Sequence, residues 1–106
     1  MSRAASVVEY SVNAENAEEL HERVRRHLVP AARQVKGYEG FLLLDKGDGK
    51  RMAILLFDSV EGVQAAQQVL TPVGEQYTYS LMSGPALGGL GKVVISDGVF
   101  GETARP

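Results

Sequence analysis

Two histidines, His21 and His27, are the side chains best suited to hold a metal or to move a proton near neutral pH. They stand six residues apart in a stretch of helical periodicity, which separates them by about 120° around the helix. They therefore cannot converge on one metal ion, and they read as boundary residues on either side of an apolar stripe. The chain has no cysteine, which removes a thiol nucleophile, a disulfide and a zinc–thiolate site. Asp45 and Asp48 sit around a turn, without the further ligands and terminal glutamate of a calcium-binding EF-hand loop. The glycines between residues 84 and 91 form no G-x-G-x-x-G, and Gly91-Lys92-Val93 lacks the hydroxyl residue that would complete a phosphate-binding loop. No metal, flavin or haem is expected. What remains is a set of three phenols, Tyr10, Tyr77 and Tyr79, with Arg51 as a partner for an anion. Such groups can hydrogen-bond an anionic oxygen, although each also fits the edge of a core as an amphipathic residue.

The elements that would position these groups centre on residues 37–57, GYEGFLLLDKGDGKRMAILLF. Phe41 to Leu44 and Met52 to Phe57 are apolar at consecutive positions, and strand side chains alternate between faces, so both faces of this hairpin are apolar. Its turn is expected at Lys46 to Lys50, where Asp48-Gly49 is a strong turn signal. One face can lie on the chain's own helices. The other must be buried against a second copy, or a ligand, or both, and the sequence leaves open which face is which.

Ser6 to Val12 is rich in β-branched and aromatic residues and reads as the first strand. From Ala14 to about Gln34, Ala17, Leu20, Val24, Leu28, Ala31 and Val35 recur in three- and four-residue steps, the stripe of an amphipathic helix. Asn13 or Asn16 would cap it, Pro30 should kink it or start a second short helix, and Gly37 should end it. On its outer face glutamates alternate with Arg23, Arg25, Arg26 and Arg33 as a solvated surface. Asp58 or Ser59 would cap a second helix with Val60, Val63, Ala66 and Leu70 on its stripe, ending before Pro72 and Gly74. Residues 75–82 fit either period, and a helical continuation after the break is favoured. Ser83 to Gly91 reads as a loop that could pass over a site as a lid. The last strand is expected from Lys92 to Ile95 or Ser96, followed by a turn at Asp97-Gly98 before Val99-Phe100 and a mobile tail from Glu102 to Pro106. The order is that of a split βαβ, ferredoxin-like α+β domain: an antiparallel four-stranded sheet with helices on one face.

At 106 residues the chain is expected to be one domain, residues 1–106, burying roughly 65% of its unfolded surface. A formal net charge of −2 with no basic cluster argues against nucleic acid and anionic membranes as partners. No apolar run reaches the ~20 residues of a membrane span, and the first residues lack a signal core. A cytoplasmic location is expected.

Three stretches carry a family resemblance. The run from Val29-Pro30-Ala31-Ala32 to Gly37-Tyr38-Glu39-Gly40-Phe41-Leu42-Leu43-Leu44-Asp45, then Asp48-Gly49-Lys50-Arg51, then Leu56-Phe57-Asp58-Ser59-Val60-Glu61, resembles the dimeric α+β barrel proteins of the antibiotic biosynthesis monooxygenase-like superfamily. The likeness spans about residues 5–96. It implies a homodimer in which each sheet lays one face on its helices and the other on the partner. It also implies a pocket for an apolar or aromatic small molecule. Members include cofactor-independent monooxygenases that oxidise polycyclic phenols to quinones, and haem-degrading oxygenases. In the monooxygenases a strand-end Trp, with Asn, Tyr and Arg nearby, lines the pocket. Here Phe57 stands at the Trp position without an N–H to donate, and Ala53 stands where the Asn is expected. The histidines do not match a haem ligand.

Two functions follow as expectations. The first is a cofactor-independent monooxygenase-like oxidase of an aromatic or polyketide-like molecule, whose substrate forms a stabilised carbanion while the protein supplies desolvation and hydrogen bonds. The second is a non-catalytic dimeric binding or stress-response protein. The pocket candidates are Tyr10, Phe41, Leu43, Leu55, Phe57, Tyr77, Tyr79 and Arg51. Polar side chains converging beside Phe57 would favour the enzyme, and an all-apolar lining would favour the binder.

Overall fold

The computed structural model describes residues 2–99; the expectations for Phe100 and for the tail from Glu102 to Pro106 fall outside them. The strands are β1 (Ala4–Ser11), β2 (Tyr38–Gly47), β3 (Lys50–Phe57) and β4 (Leu87–Lys92). They form one antiparallel sheet in the order β2-β3-β1-β4, the ferredoxin-like arrangement. The β2–β3 turn passes through Asp48 (φ 54) and Gly49 (φ 75). Positive φ at both central residues matches the right-handed twist of the flanking strands.

Helix α1 (Ala14–Arg23) starts after Asn13, whose side chain makes no capping bond, so Asn16 lies inside the helix. One wide π turn, Val24–Leu28, leads into α2 (Val29–Arg33), with Pro30 in the first turn of α2. Pro30 has no N–H, and the wider turn is how the chain passes it. The extra residue widens the buried face: Ala32, outside the predicted stripe, is fully buried, while Leu28, Ala31 and Val35 of the stripe still pack against the core. Gly37 (φ 92) then turns the chain into β2 beside Asp58.

Helix α3 (Val60–Tyr77) is capped by Ser59, whose Oγ accepts from the Gly62 N–H at 3.0 Å. It runs through Pro72 without stopping, which corrects the expected end at that residue. The carbonyl that loses a donor there belongs to Gln68, an exposed position that water can serve. The favoured helical continuation holds as far as Leu81, with α3 running to Tyr77 and a single 3-10 turn spanning Tyr79–Leu81, while Met82 is extended and bridges to Val12.

The glycine-rich segment is a second correction. Leu87–Lys92 is strand β4, paired along β1 from Ala4 to Glu9, and not loop. The connection shrinks to residues 83–86, and the lid reading of Ser83 to Gly91 goes with it. Val93 only donates its N–H to the Arg3 carbonyl at 2.8 Å, while Val94 and Ile95 are 90% and 81% exposed.

The helices cover one face of the sheet. Beneath them lie two buried clusters, one with Ala4, Leu55, Phe57, Val63 and Leu70, the other with Tyr10, Val12, Leu20 and Val24. Leu28 and Phe41 pack against both. The other face bears Val7, Met52, Ile54 and Leu56, half-buried, with Leu42 51% and Leu44 42% exposed. Among the described residues no helix is long and apolar enough to cross a membrane.

Candidate functional site

A cavity of about 140 Å³ lies where the two buried clusters meet, between sheet and helices. Its floor is the inward-facing row of the strands: Ser6, Val8 and Tyr10 from β1, Phe41 from β2, and Ala53 and Leu55 from β3. The register sets these neighbours, since Ser6 stands opposite Leu55 and Leu55 opposite Phe41. Val63, Ala66 and Leu70 of α3 form one wall, and Val24 and Leu28 of the π turn form another. Tyr79, Met82 and Ala86 stand at the mouth. From there a groove of about 240 Å³ continues past Gly84 and Pro85. Tyr79 is held against α3 where Gly74 leaves room for its ring; a Cβ at Gly74 would come within 2.5 Å of it.

The polar side chains at the cavity are Ser6, Tyr10, Gln67, Thr71, Thr78 and Tyr79. Thr78 Oγ1 donates to the Gly74 carbonyl at 3.1 Å and Thr71 Oγ1 to the Gln67 carbonyl at 2.7 Å. The Tyr10 hydroxyl is different. It is buried, and among the described residues it is the buried side-chain polar atom with no hydrogen-bond partner. Burial pushes its pKa above the usual 10.0, and the charge of Arg51 pulls part of the way back. Tyr10 is thus a protonated donor at neutral pH.

Of the candidates named from the sequence, Tyr10, Phe41, Leu55 and Tyr79 come together at this cavity. Leu43 and Arg51 border a neighbouring hollow of about 280 Å³ with His21 and Asp45. Arg51 is held there: its Nε donates to His21 Nε2 at 3.1 Å, and its Nη1 to Asp45 Oδ1 at 3.0 Å. Phe57 does not border the cavity. It is fully buried, edge-to-face with Tyr38 at 5.9 Å, and lies against Gly62, where a Cβ would meet its ring at 3.2 Å. Tyr77 stacks on His27 at 3.7 Å, and its carbonyl accepts from Arg23 Nη1 at 3.0 Å. Ser6, Thr78 and Met82 border the cavity without having been anticipated from the sequence. Ser6 was legible from its even-numbered place with Val8 and Tyr10; the other two depend on how the chain returns after α3. Among the described residues no three acidic or histidine side chains group to hold a metal ion.

No family model and no curated protein sequence matches the chain. Solved structures do. A Nitrosomonas europaea protein named as an antibiotic biosynthesis monooxygenase superposes with a TM-score of 0.73 at 14% identity, covering 88% of this chain and 91% of that one. The chain shares the fold of that protein. A mutant form of SnoaB, a cofactor-independent oxygenase from Streptomyces nogalater, gives 0.73 at 16% identity, over 91% and 97% of the two chains. A dimeric ferredoxin-like protein from an uncultured marine organism gives 0.69 at 12%, over 91% of each.

Proposed function

We propose that the protein binds an aromatic or polyketide-like molecule in the cavity between sheet and helices and, as a homodimer, oxidises it with molecular oxygen without a cofactor. The observation that carries this reading is the cavity itself, largely apolar on its floor and walls, with the buried and partnerless Tyr10 hydroxyl among its few polar groups. Its volume is close to the ~150 Å³ of an apolar protein cavity that takes up benzene. One aromatic ring fits inside, and further rings extend past Tyr79 and Met82 into the groove. The likeness to a cofactor-independent oxygenase supports oxidation as the chemistry. The apolar outer face of the sheet supports the dimer, because patches of that kind on soluble proteins are usually covered by a partner, and one neighbour of the same fold is dimeric.

In this reading the substrate brings the electrons. Loss of a proton from an activated methylene gives a carbanion that reduces oxygen; one oxygen atom ends in the new carbonyl and the other leaves as water. The protein removes water from the reacting carbon and donates a hydrogen bond to the oxygen that takes up the charge.

Anthrone tests this. The protein should consume one oxygen and form one anthraquinone per turnover, above the rate in buffer. Ala66→Phe, which puts a ring into the cavity, should return the rate to that of buffer. Absence of any excess rate would sink the enzymatic reading. The lack of a polar group at Phe57 favours a second reading, binding without turnover; anthrone would then bind while oxygen uptake stays at the buffer rate.

A further inference from the structure

We infer that the Tyr10 hydroxyl is the group that orients the ligand, donating a hydrogen bond to an acceptor oxygen on its aromatic ring system, so that the cavity selects aromatic ketones and phenolates over the hydrocarbons of the same shape. This deepens the reading above and rests on it.

Tyr10 is only 7% exposed, and a buried hydroxyl without a partner costs about 1–3 kcal/mol in the folded protein. Native structures rarely leave such a group unused. Its ring borders the cavity, between Val24 of the π turn and Phe41 of β2. Three of the neighbouring polar groups are engaged elsewhere. The hydroxyls of Thr71 and Thr78 donate to their own helix. Arg51, next to Tyr10 across the β1–β3 register, is tied to His21 and Asp45 and borders the adjacent hollow. Ser6 and Gln67 also border the cavity, but the phenol is the polar group there that is wholly buried without a partner, and a phenol kept protonated by burial donates and does not compete as an anion.

The consequence is a defined pose. An oxygen on the buried ring faces Tyr10, and the rest of the molecule leads away toward Tyr79 and the groove. In the oxidation proposed above, the ketone oxygen becomes an enolate oxygen when the methylene loses its proton. A hydrogen bond to an ionised acceptor is about twice as strong as a neutral one, so the same contact is tighter once the substrate is activated.

The probes are 1-tetralone and tetralin, which share a shape and differ in the ketone. Calorimetry should show that Tyr10→Phe weakens 1-tetralone about tenfold, the loss of one hydrogen bond, and leaves tetralin within about twofold. In the infrared, the carbonyl stretch of bound 1-tetralone should lie at lower frequency with the parent protein than with the variant. Equal changes for both compounds, or no change in either affinity or frequency, would overturn the role of Tyr10 while leaving the cavity as a binding site. If neither compound binds the parent protein, the cavity reading fails and this inference fails with it. Tyr10→Phe should melt no lower than the parent, because it removes an unpaired buried polar atom.

Discussion

Tyr10 is subject to two opposed influences, burial that resists its ionisation and the Arg51 charge that favours it, and burial is the larger. The folded-state pKa is therefore above the unfolded value of 10.0. Below pH 10 both states hold the proton, and stability is unaffected. Above it the unfolded chain loses the proton first, so the folded state binds more protons and stability falls as pH rises, by up to about 1.4 kcal/mol per pH unit until the raised pKa is passed. Tyr10→Phe should remove that component: melting curves from pH 9 to 11.5 should fall less steeply for the variant, and parallel curves would contradict the burial of this hydroxyl. From the sequence, Tyr10 was legible as a phenol on the inward row of a strand. Its lack of a partner was not, because that depends on which donors and acceptors three distant segments bring near it. His21 shows the same limit. Its place at the edge of a stripe was readable, but its bond to Arg51, thirty residues away, required the register of β1 and β3.

At the scale of elements, local periodicity located β1, the hairpin and both helical regions, and it failed where tertiary pairing overrides propensity. Strand β4 contains Gly88, Gly89 and Gly91, residues that alone favour a loop. Pairing with β1 makes them a strand, and one glycine is required there. A Cβ at Gly88 would meet the Val7 carbonyl oxygen at 2.8 Å and Val8 Cγ2 at 3.1 Å, whereas nothing lies within 4 Å of a Cβ at Gly89. Gly88→Ala should push β4 off β1 and lower stability by about 1–3 kcal/mol. Gly89→Ala should be neutral or slightly stabilising. Urea unfolding of the two variants separates them, and equal effects would contradict the pairing described here. The π turn before Pro30 is the other such case. A strict 3.6-residue period cannot anticipate an inserted residue, which is why Ala32 was not expected on the buried face that it shares with Ala31.

For the whole molecule, the alternation of Phe41, Leu43, Leu55 and Phe57 with Leu42, Leu44, Ile54 and Leu56 already implied a sheet with two apolar faces. Which face meets the helices could not be read from a hairpin apolar on both sides; it follows from the crossovers, and the odd-numbered row faces inward. The proposed function gives the two faces different work: a ligand cavity on the inner one and contact with a second copy of the chain on the outer one. Methyl NMR on protein labelled at Ile, Leu and Val tests this division most directly, with 1-tetralone added as ligand and a soluble paramagnetic agent as a probe of exposure. The expected result is that 1-tetralone shifts the methyls of Leu55, Val63 and Leu70 while those of Leu42, Leu44 and Ile54 stay in place and are shielded from the agent. Ligand shifts on the outer face, or outer methyls broadened as freely exposed groups are, would contradict it.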